Sequence, residues 1–250
     1  MVKTKRRTRL IISSLLILLS GSLLANGILF RFGRSYYLQL NALRLDPIGL
    51  SIPFADGRAL DNTQTKTVVM LGDSRIESWP NPEVEGINII NRGIGGQTSA
   101  QVLARYPYQV APLQPDLLLV QVGVNDLKTI PLFPHERDKI VAELKQNITT
   151  LVTAAQEQEA PIILTTIFPL GEVPVERRPF WSDEVAIAIE EVNLYIKSLE
   201  SDQVIVFDTY TLLADDDGQT KDAFSPDLLH LNEQGYLFLN DHFARMIDQS

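Results

Sequence analysis

The pattern of apolar and polar residues divides the chain into an apolar N-terminal segment and a longer body in which two patterns alternate. From residue 67 onward, short runs rich in Val, Ile and Leu alternate with longer amphipathic stretches. The short runs predict five strands, at residues 68–71, 87–90, 117–122, 162–167 and 204–207. The amphipathic stretches predict helices at residues 98–110, 135–158, 183–199 and 233–247.

The predicted strands do not alternate between apolar and polar side chains, which is typical of parallel strands buried on both faces. Strands that alternate with helices indicate an α/β fold, in this case a doubly wound sheet with helices on both sides. In such sheets ligands bind at the carboxyl ends of the strands. We therefore expect the functional residues to follow the strands directly.

The N-terminus predicts a membrane segment. Residues 1–9 contain five basic residues and no acidic one, and the 21 residues of 10–30 carry no charge. As a helix these 21 residues would span about 32 Å, the thickness of a hydrocarbon core. The basic cluster favours a cytoplasmic N-terminus and an extracytoplasmic body. We interpret residues 31–66 as a juxtamembrane stalk and residues 67–250 as the folded domain.

A cleaved signal peptide is the alternative to an anchor, and the body would then be secreted. Ser20, Gly21 and Ser22 offer the small residues that a signal peptidase prefers. The apolar run nevertheless continues beyond them to Phe30. This continuation favours an uncleaved anchor.

Composition narrows the classes of function. Without the five N-terminal basic residues, 17 basic residues remain against 31 acidic ones. Because an acidic body repels phosphate backbones, we expect no nucleic-acid partner. The chain has no cysteine, which excludes a disulfide framework, a thiolate metal site and a cysteine nucleophile. Its three histidines lack the spacing of metal ligands, so we expect neither a metal nor another cofactor.

Polar and glycine-rich residues follow the first three predicted strands, at 72–74 (GDS), 91–96 (NRGIGG) and 123–126 (GVND). Each segment alone is ordinary turn chemistry, and Asp and Ser are common helix caps. Their coincidence at one edge of the predicted sheet indicates a site, with Ser74 as a candidate nucleophile. The glycines match neither a dinucleotide fingerprint nor a phosphate loop, because the spacing differs and no lysine follows.

A serine nucleophile needs a base and a third group that orients the base. His135 lies at a predicted helix start, and His242 lies inside the last predicted helix. His230 lies in a loop before that helix, three residues after Asp227, and this spacing can place a carboxylate beside an imidazole. The alternative is that Asp227 caps a turn and His230 is a loop histidine without a catalytic role.

Four segments together resemble the sequence blocks of a known family. The segments 72–74 (GDS), 91–99 (NRGIGGQTS), 123–126 (GVND) and 227–230 (DLLH) are similar, in this order, to the four blocks of the SGNH hydrolases, or GDSL-type esterases and lipases. The resemblance covers essentially the whole body. It implies a flavodoxin-like three-layer α/β/α sandwich with a parallel sheet of about five strands.

The resemblance also implies a role for each matching residue. It implies Ser74 as the nucleophile, His230 as the general base and Asp227 as the carboxylate that orients the base. The oxyanion hole would consist of the backbone N–H groups of Ser74 and Gly96 and the side chain of Asn125. The implied activity is a serine esterase that acts on short-chain carboxylic esters, including O-acetyl groups of carbohydrates.

Two other functions are compatible with the same residues: an extracytoplasmic O-acyltransferase, and a non-catalytic domain that binds glycan or lipid.

One position departs from the family pattern, since Arg75 stands at the fourth place of the GDSL signature. Its side chain either forms a local salt bridge or recognises an anionic substrate. Residues 169–182 predict a long loop, in which Phe180 and Trp181 either line a cleft or pack beneath the loop.

Overall fold

The computed structural model describes residues 2–54 and 65–248. The chain divides into two units, residues 1–47 and residues 48–250. The elements are α1 (Val2–Leu45), β1 (Lys66–Gly72), α2 (Ser74–Glu77), β2 (Ile87–Gly93), α3 (Ser99–Gln109), β3 (Leu117–Gln121), α4 (Val124–Leu127), α5 (Arg137–Gln156), β4 (Ile162–Thr165), α6 (Glu184–Ser198), β5 (Val204–Phe207), α7 (Thr209–Leu213) and α8 (Glu233–Asp248).

The first unit is one helix, α1. From Arg9 to Leu45 this helix is long enough and apolar enough to cross a membrane, and its apolar side chains are exposed within the structure. A signal sequence has the same properties. The helix is therefore compatible with either an anchor or a signal peptide, and it continues into the first part of the segment that we interpreted as a stalk.

The second unit is built on a parallel five-stranded sheet with the order β2-β1-β3-β4-β5. This order is the flavodoxin-like form of a doubly wound sheet. The predicted α/β class and the five predicted strands are thus confirmed, with shifts of one to three residues at five of the ten strand ends. Those shifts are expected, because local patterns define the ends of elements less sharply than their centres.

Both faces of the sheet are buried, which explains the absence of alternation in the strands. On β1, Val69 and Leu71 pack with residues of α3, α5 and α6. Val68 and Met70 face the opposite side, where they join a cluster that includes residues of α8. The sheet therefore forms the middle of three layers, and its central strands β1, β3 and β4 are apolar over most of their length.

The order of the strands places a switch point between β1 and β3. In the sheet, β2 lies on one side of β1 and β3 lies on the other. The loops after β1 and β3 therefore diverge at the carboxyl ends of these strands.

Residues 48–54 pack against the rest of the second unit: the Gln97 and Gln109 amides donate to the carbonyls of Ile48 and Gly49, both at 3.0 Å. Phe54 lies against the Arg92 guanidinium at 4.5 Å. This short segment is therefore part of the folded domain.

Candidate active site

Ser74 is the first residue of α2, directly after β1. Asp73 is the N-cap of that helix, and its Oδ1 accepts the backbone N–H of Arg75 at 2.9 Å. The cap is therefore the aspartate, which leaves the serine hydroxyl available for another partner. Gly72 is required at the end of β1, because a Cβ there would lie 2.2 Å from the carbonyl oxygen of Gln121.

The hydroxyl of Ser74 lies 3.1 Å from Nε2 of His230. The other ring nitrogen of His230, Nδ1, lies 2.9 Å from Oδ2 of Asp227. The serine, the imidazole and the carboxylate are therefore connected by two successive hydrogen bonds. A serine and a histidine that are separated by 156 residues in the chain thus meet at the edge of the sheet.

Asp227 is held by its own backbone neighbours. Its Oδ1 accepts the backbone N–H groups of Leu229 at 2.7 Å and of His230 at 2.8 Å. Burial favours the neutral carboxyl, but these bonds and the bond to the imidazole outweigh it and lower the pKa of Asp227 to about 2. The carboxylate is therefore charged at neutral pH and holds the Nδ1 proton on the imidazole. In that tautomer Nε2 is free to accept the serine proton.

The other two histidines lie elsewhere. His135 is exposed on a short 3-10 turn, Pro134–Glu136, ahead of α5. The ring of His242 donates from Nδ1 to the carbonyl of Phe238 at 2.9 Å within α8. Of the three histidines, His230 is the one that the structure places beside Ser74.

Gly96 and Asn125 come from two different loops that the structure ties together. Gly96 lies between β2 and α3 with a positive φ of 77°, a conformation that favours glycine. Asn125 lies on α4, after β3, and its Nδ2 donates to the carbonyl of Gln97 at 2.9 Å. Asp126 adds a second tie, since its carboxylate accepts the backbone N–H of Ser99 at 2.9 Å and the hydroxyl of Ser99 at 2.7 Å.

The orientation of the Asn125 amide is set from both sides. Lys128 donates from Nζ to Oδ1 of Asn125 at 2.5 Å, while the carbonyl of Gln97 accepts from Nδ2. A lysine can only donate and a carbonyl can only accept, so the amide has one favourable orientation. One N–H hydrogen of the amide remains available for a further acceptor.

Two charged residues beside Ser74 are fully buried. Burial raises the pKa of the Asp73 carboxyl to about 6, against the attraction of the Arg75 guanidinium. Arg75 is 0% exposed, and its Nε donates to the carbonyl of Leu229 at 2.9 Å. Neither expectation for Arg75 is met: its side chain donates to main-chain oxygens, and its burial keeps it from an incoming substrate.

Sequence reasoning missed a further arginine. Arg105 of α3 is buried, and its Nη2 donates to the carbonyls of Gly72 at 2.8 Å and Arg92 at 2.6 Å. Its Nε donates to Oε1 of Gln97 at 2.6 Å. This side chain joins the ends of β1 and β2 to the loop that contains Gly96. The only sequence signal was an arginine on the apolar side of a predicted helix, which by itself does not distinguish a buried side chain from an exposed one.

The loop at 169–182 borders a surface cavity of about 280 Å³, which Ile130, Pro131, Phe180 and Trp181 help to line. Phe180 is 73% exposed, so it does not pack beneath the loop. Trp181 is half-buried against the core. Ser74, Asp227 and His230 do not line this cavity, which is therefore separate from these three residues.

A serine, a histidine and a carboxylate that are linked by hydrogen bonds lie at the edge of a doubly wound parallel sheet, so the protein is of the α/β class and carries a candidate serine site. Comparison with known proteins gives the family. The model of the GDSL-like lipase/acylhydrolase family matches residues 70–237. This is more than half of the chain, and the chain belongs to that family.

Individual relatives are more distant. An acetylxylan esterase from Geobacillus stearothermophilus is 32% identical over 89 residues, which are 35% of this chain and 40% of that esterase. A crystal structure of a GDSL-like lipase from Bacteroides thetaiotaomicron superposes with a TM-score of 0.59 at 21% identity, over 77% of this chain and 92% of that one. The structure of an acetylxylan esterase from G. stearothermophilus gives a TM-score of 0.54 at 20% identity, over 74% and 96%. These structural similarities establish the shared fold.

Proposed function

We propose that the chain is a serine esterase that hydrolyses short-chain carboxylic esters. One observation carries the proposal: the Ser74 hydroxyl, the His230 ring and the Asp227 carboxylate are linked by contacts of 3.1 Å and 2.9 Å. This is the spacing at which a base can take a proton from a nucleophile while a third group orients the base. Membership of the GDSL-like family supports the same reaction class.

The reaction follows from the roles of these three residues. His230 accepts the proton of Ser74 at Nε2 as Oγ attacks the ester carbonyl, and a tetrahedral oxyanion forms. Its collapse breaks the bond to the alcohol, which leaves with the proton from His230, and an acyl-serine remains. Water then gives a proton to His230 and attacks the acyl group, and the acid is released as Ser74 regains its proton. Asp227 stabilises the imidazolium in both steps.

The oxyanion would be bound by the N–H groups of Ser74 and Gly96 and by the amide of Asn125. The fixed orientation of the Asn125 amide, between Gln97 and Lys128, supports this role because it presents a hydrogen without further rearrangement. The positive φ of Gly96 supports it as well, since the turned backbone allows a close approach to the amide. Donors that are already in place stabilise charge in the transition state at no cost of reorganisation.

For the substrate, we propose acetyl and other short acyl esters, with O-acetylated carbohydrates as the alcohol moiety. The name of the G. stearothermophilus relative, an acetylxylan esterase, supports this choice. A panel of p-nitrophenyl esters from acetyl to octanoyl, together with acetylated xylan, tests it in the full chain purified in a mild detergent. Rates that rise with chain length would contradict the proposal. Transfer of the acyl group to an added sugar, in place of release as acid, would indicate an acyltransferase.

Two substitutions test the site. Ser74→Ala should abolish hydrolysis, and Asn125→Ala should lower the turnover by about 10² to 10³, the usual cost of one oxyanion donor. Matched controls are Ser198→Ala and Asn81→Ala, because their side chains donate to the main-chain carbonyls of Tyr195 and Ile89, respectively. If Ser74→Ala hydrolysed esters as fast as the wild type and a fluorophosphonate still labelled it, the assignment of Ser74 as the nucleophile would be wrong.

For the N-terminal helix, we propose an uncleaved anchor that leaves the enzyme on the extracytoplasmic side of a membrane. The basic residues at 1–9, ahead of the uncharged residues 10–30, support this orientation. In intact cells an external protease should then reach the body of the chain, which should also remain in the membrane after alkaline extraction. Recovery of a soluble chain that begins beyond residue 20 would indicate signal cleavage.

A further inference from the structure

Arg75 lies beside the nucleophile but does not face the substrate side of the site. We propose that Arg75 is a positioning residue, which holds the loop of His230 at the distance where its imidazole can deprotonate Ser74. This inference rests on the proposed function, because it assigns Arg75 a part in the same reaction.

The position of Arg75 in the chain makes the link direct. Arg75 follows Ser74 in sequence, and its Nε donates at 2.9 Å to the carbonyl of Leu229, the residue before His230. One side chain therefore joins the neighbour of the nucleophile to the neighbour of the base, across 154 positions of sequence. The Ser74–His230 contact of 3.1 Å closes the same small ring of contacts.

The guanidinium is itself held from other elements. It lies over the ring of Phe168 at 4.9 Å from the ring centre, and Nη1 is 3.5 Å from the carbonyl oxygen of the same residue. The hydroxyl of Tyr236 on α8 donates to the carbonyl of Arg75 at 2.9 Å. Arg75 is thus contacted by the segment after β4, by α8 and by the loop of His230. Its side chain therefore has little room to change conformation.

The burial of the Arg75 cation is only partly compensated. Arg75 is 0% exposed, and burial lowers the pKa of its guanidinium although the buried Asp73 carboxylate attracts it. Its Nη2 has no hydrogen-bond partner within residues 2–54 and 65–248. A buried cation with incomplete partners is costly, and an apolar side chain of similar volume often stabilises a fold better. Besides its attraction to Asp73, the arginine offers the contact with Leu229, which an apolar side chain does not.

The test compares Arg75→Met with two other variants in the full chain, in mild detergent, with p-nitrophenyl acetate as substrate. We expect kcat to fall by about 10²-fold, the usual effect of a misplacement of about 1 Å, with KM little changed. Labelling of Ser74 by a fluorophosphonate should slow in parallel, since it depends on the same base. The melting temperature of Arg75→Met should fall, because the buried Asp73 carboxylate loses the cation that attracts it, and kcat is therefore compared at a temperature at which both proteins are folded.

Asn240→Ala is the matched control, because Asn240 is buried in the same layer and bonds to Trp79 and Pro80, away from the His230 loop. It should lower the melting temperature and leave kcat unchanged. Ser74→Ala separates the proposed role of Arg75 from the proposed esterase function. If Ser74→Ala is inactive and Arg75→Met has a wild-type kcat, only the role of Arg75 is overturned. An active Ser74→Ala overturns both. If Arg75→Met does not fold, the double variant Asp73→Asn/Arg75→Met decides, because it removes both buried charges and keeps the oxygen that caps α2. A wild-type kcat in that variant likewise overturns the role.

Discussion

The buried carboxyl of Asp73 gives a prediction whose size follows from the structure. Asp73 is 0% exposed, and its Oδ1 bonds to the N–H of Arg75 while Oδ2 has no partner among the residues that the structure describes. Asp73→Asn keeps the oxygen that caps α2 and removes the charge. We expect the variant to be more stable than the wild type at neutral pH, because an uncharged amide replaces a carboxylate that burial disfavours.

The magnitude follows from the pKa of Asp73, which burial raises from 3.8 to about 6. Each pKa unit corresponds to about 1.4 kcal/mol, so the charged carboxyl costs the folded state about 3 kcal/mol above about pH 6. The sign is that of an acid with a raised pKa: the folded state binds the proton more tightly than the unfolded state. The cost is therefore complete above about pH 6 and disappears as the pH falls towards about 4.

The assay is denaturant unfolding of the full chain in mild detergent, followed by the fluorescence of the buried Trp79, at several pH values. The free energy of unfolding of Asp73→Asn should exceed that of the wild type by about 3 kcal/mol at about pH 8 and by about half of this at about pH 5. Asp216→Asn, at an exposed carboxylate, is the control and should show no such trend. A constant difference between Asp73→Asn and the wild type at all pH values would refute the reasoning.

Two further predictions concern contacts around the site. Lys128→Met should lower kcat roughly tenfold, less than the loss of a whole oxyanion donor, because the Asn125 amide loses the partner that orients it. Lys128→Arg should restore most of the rate, and equal rates in ester hydrolysis assays of Lys128→Met and wild type would contradict this role. Gly72→Ala should destabilise the fold by about 1–3 kcal/mol or more, since its Cβ would lie 2.2 Å from the carbonyl oxygen of Gln121. Gly33→Ala, where a Cβ meets nothing within 4 Å, is the control in thermal unfolding, and an equal melting temperature for both would exclude the predicted clash.

The candidate site was partly predictable because each member carries a local signature. Ser74 and Asn125 follow apolar runs that predict strands, and the carboxyl ends of parallel strands meet at one edge. His230 was selected among three histidines by the nearby Asp227. The structure places Ser74, His230 and Asp227 in one line and brings the loops of Gly96 and Asn125 together.

The buried charged residues around the site were not predictable in the same way. Arg75 donates to Leu229, and Arg105 donates to Gly72, over separations of 154 and 33 positions. A sequence contains no local sign of the carbonyl that such a side chain will reach, because the partner is chosen by the packing of elements that are distant in the chain. For Arg75 the local reading suggested a salt bridge or a substrate contact, and neither is present.

The sequence by itself determined the order of strands and helices along the chain, the burial of both faces of the sheet and the residue types of the candidate triad. Those properties depend on short-range patterns, namely runs of apolar side chains and turn residues within a few positions of one another. Tertiary structure alone decided the distance between Ser74 and His230, the orientation of the Asn125 amide and the burial of Arg75. These depend on long-range packing, in which the position of one side chain is set by groups from several elements at once.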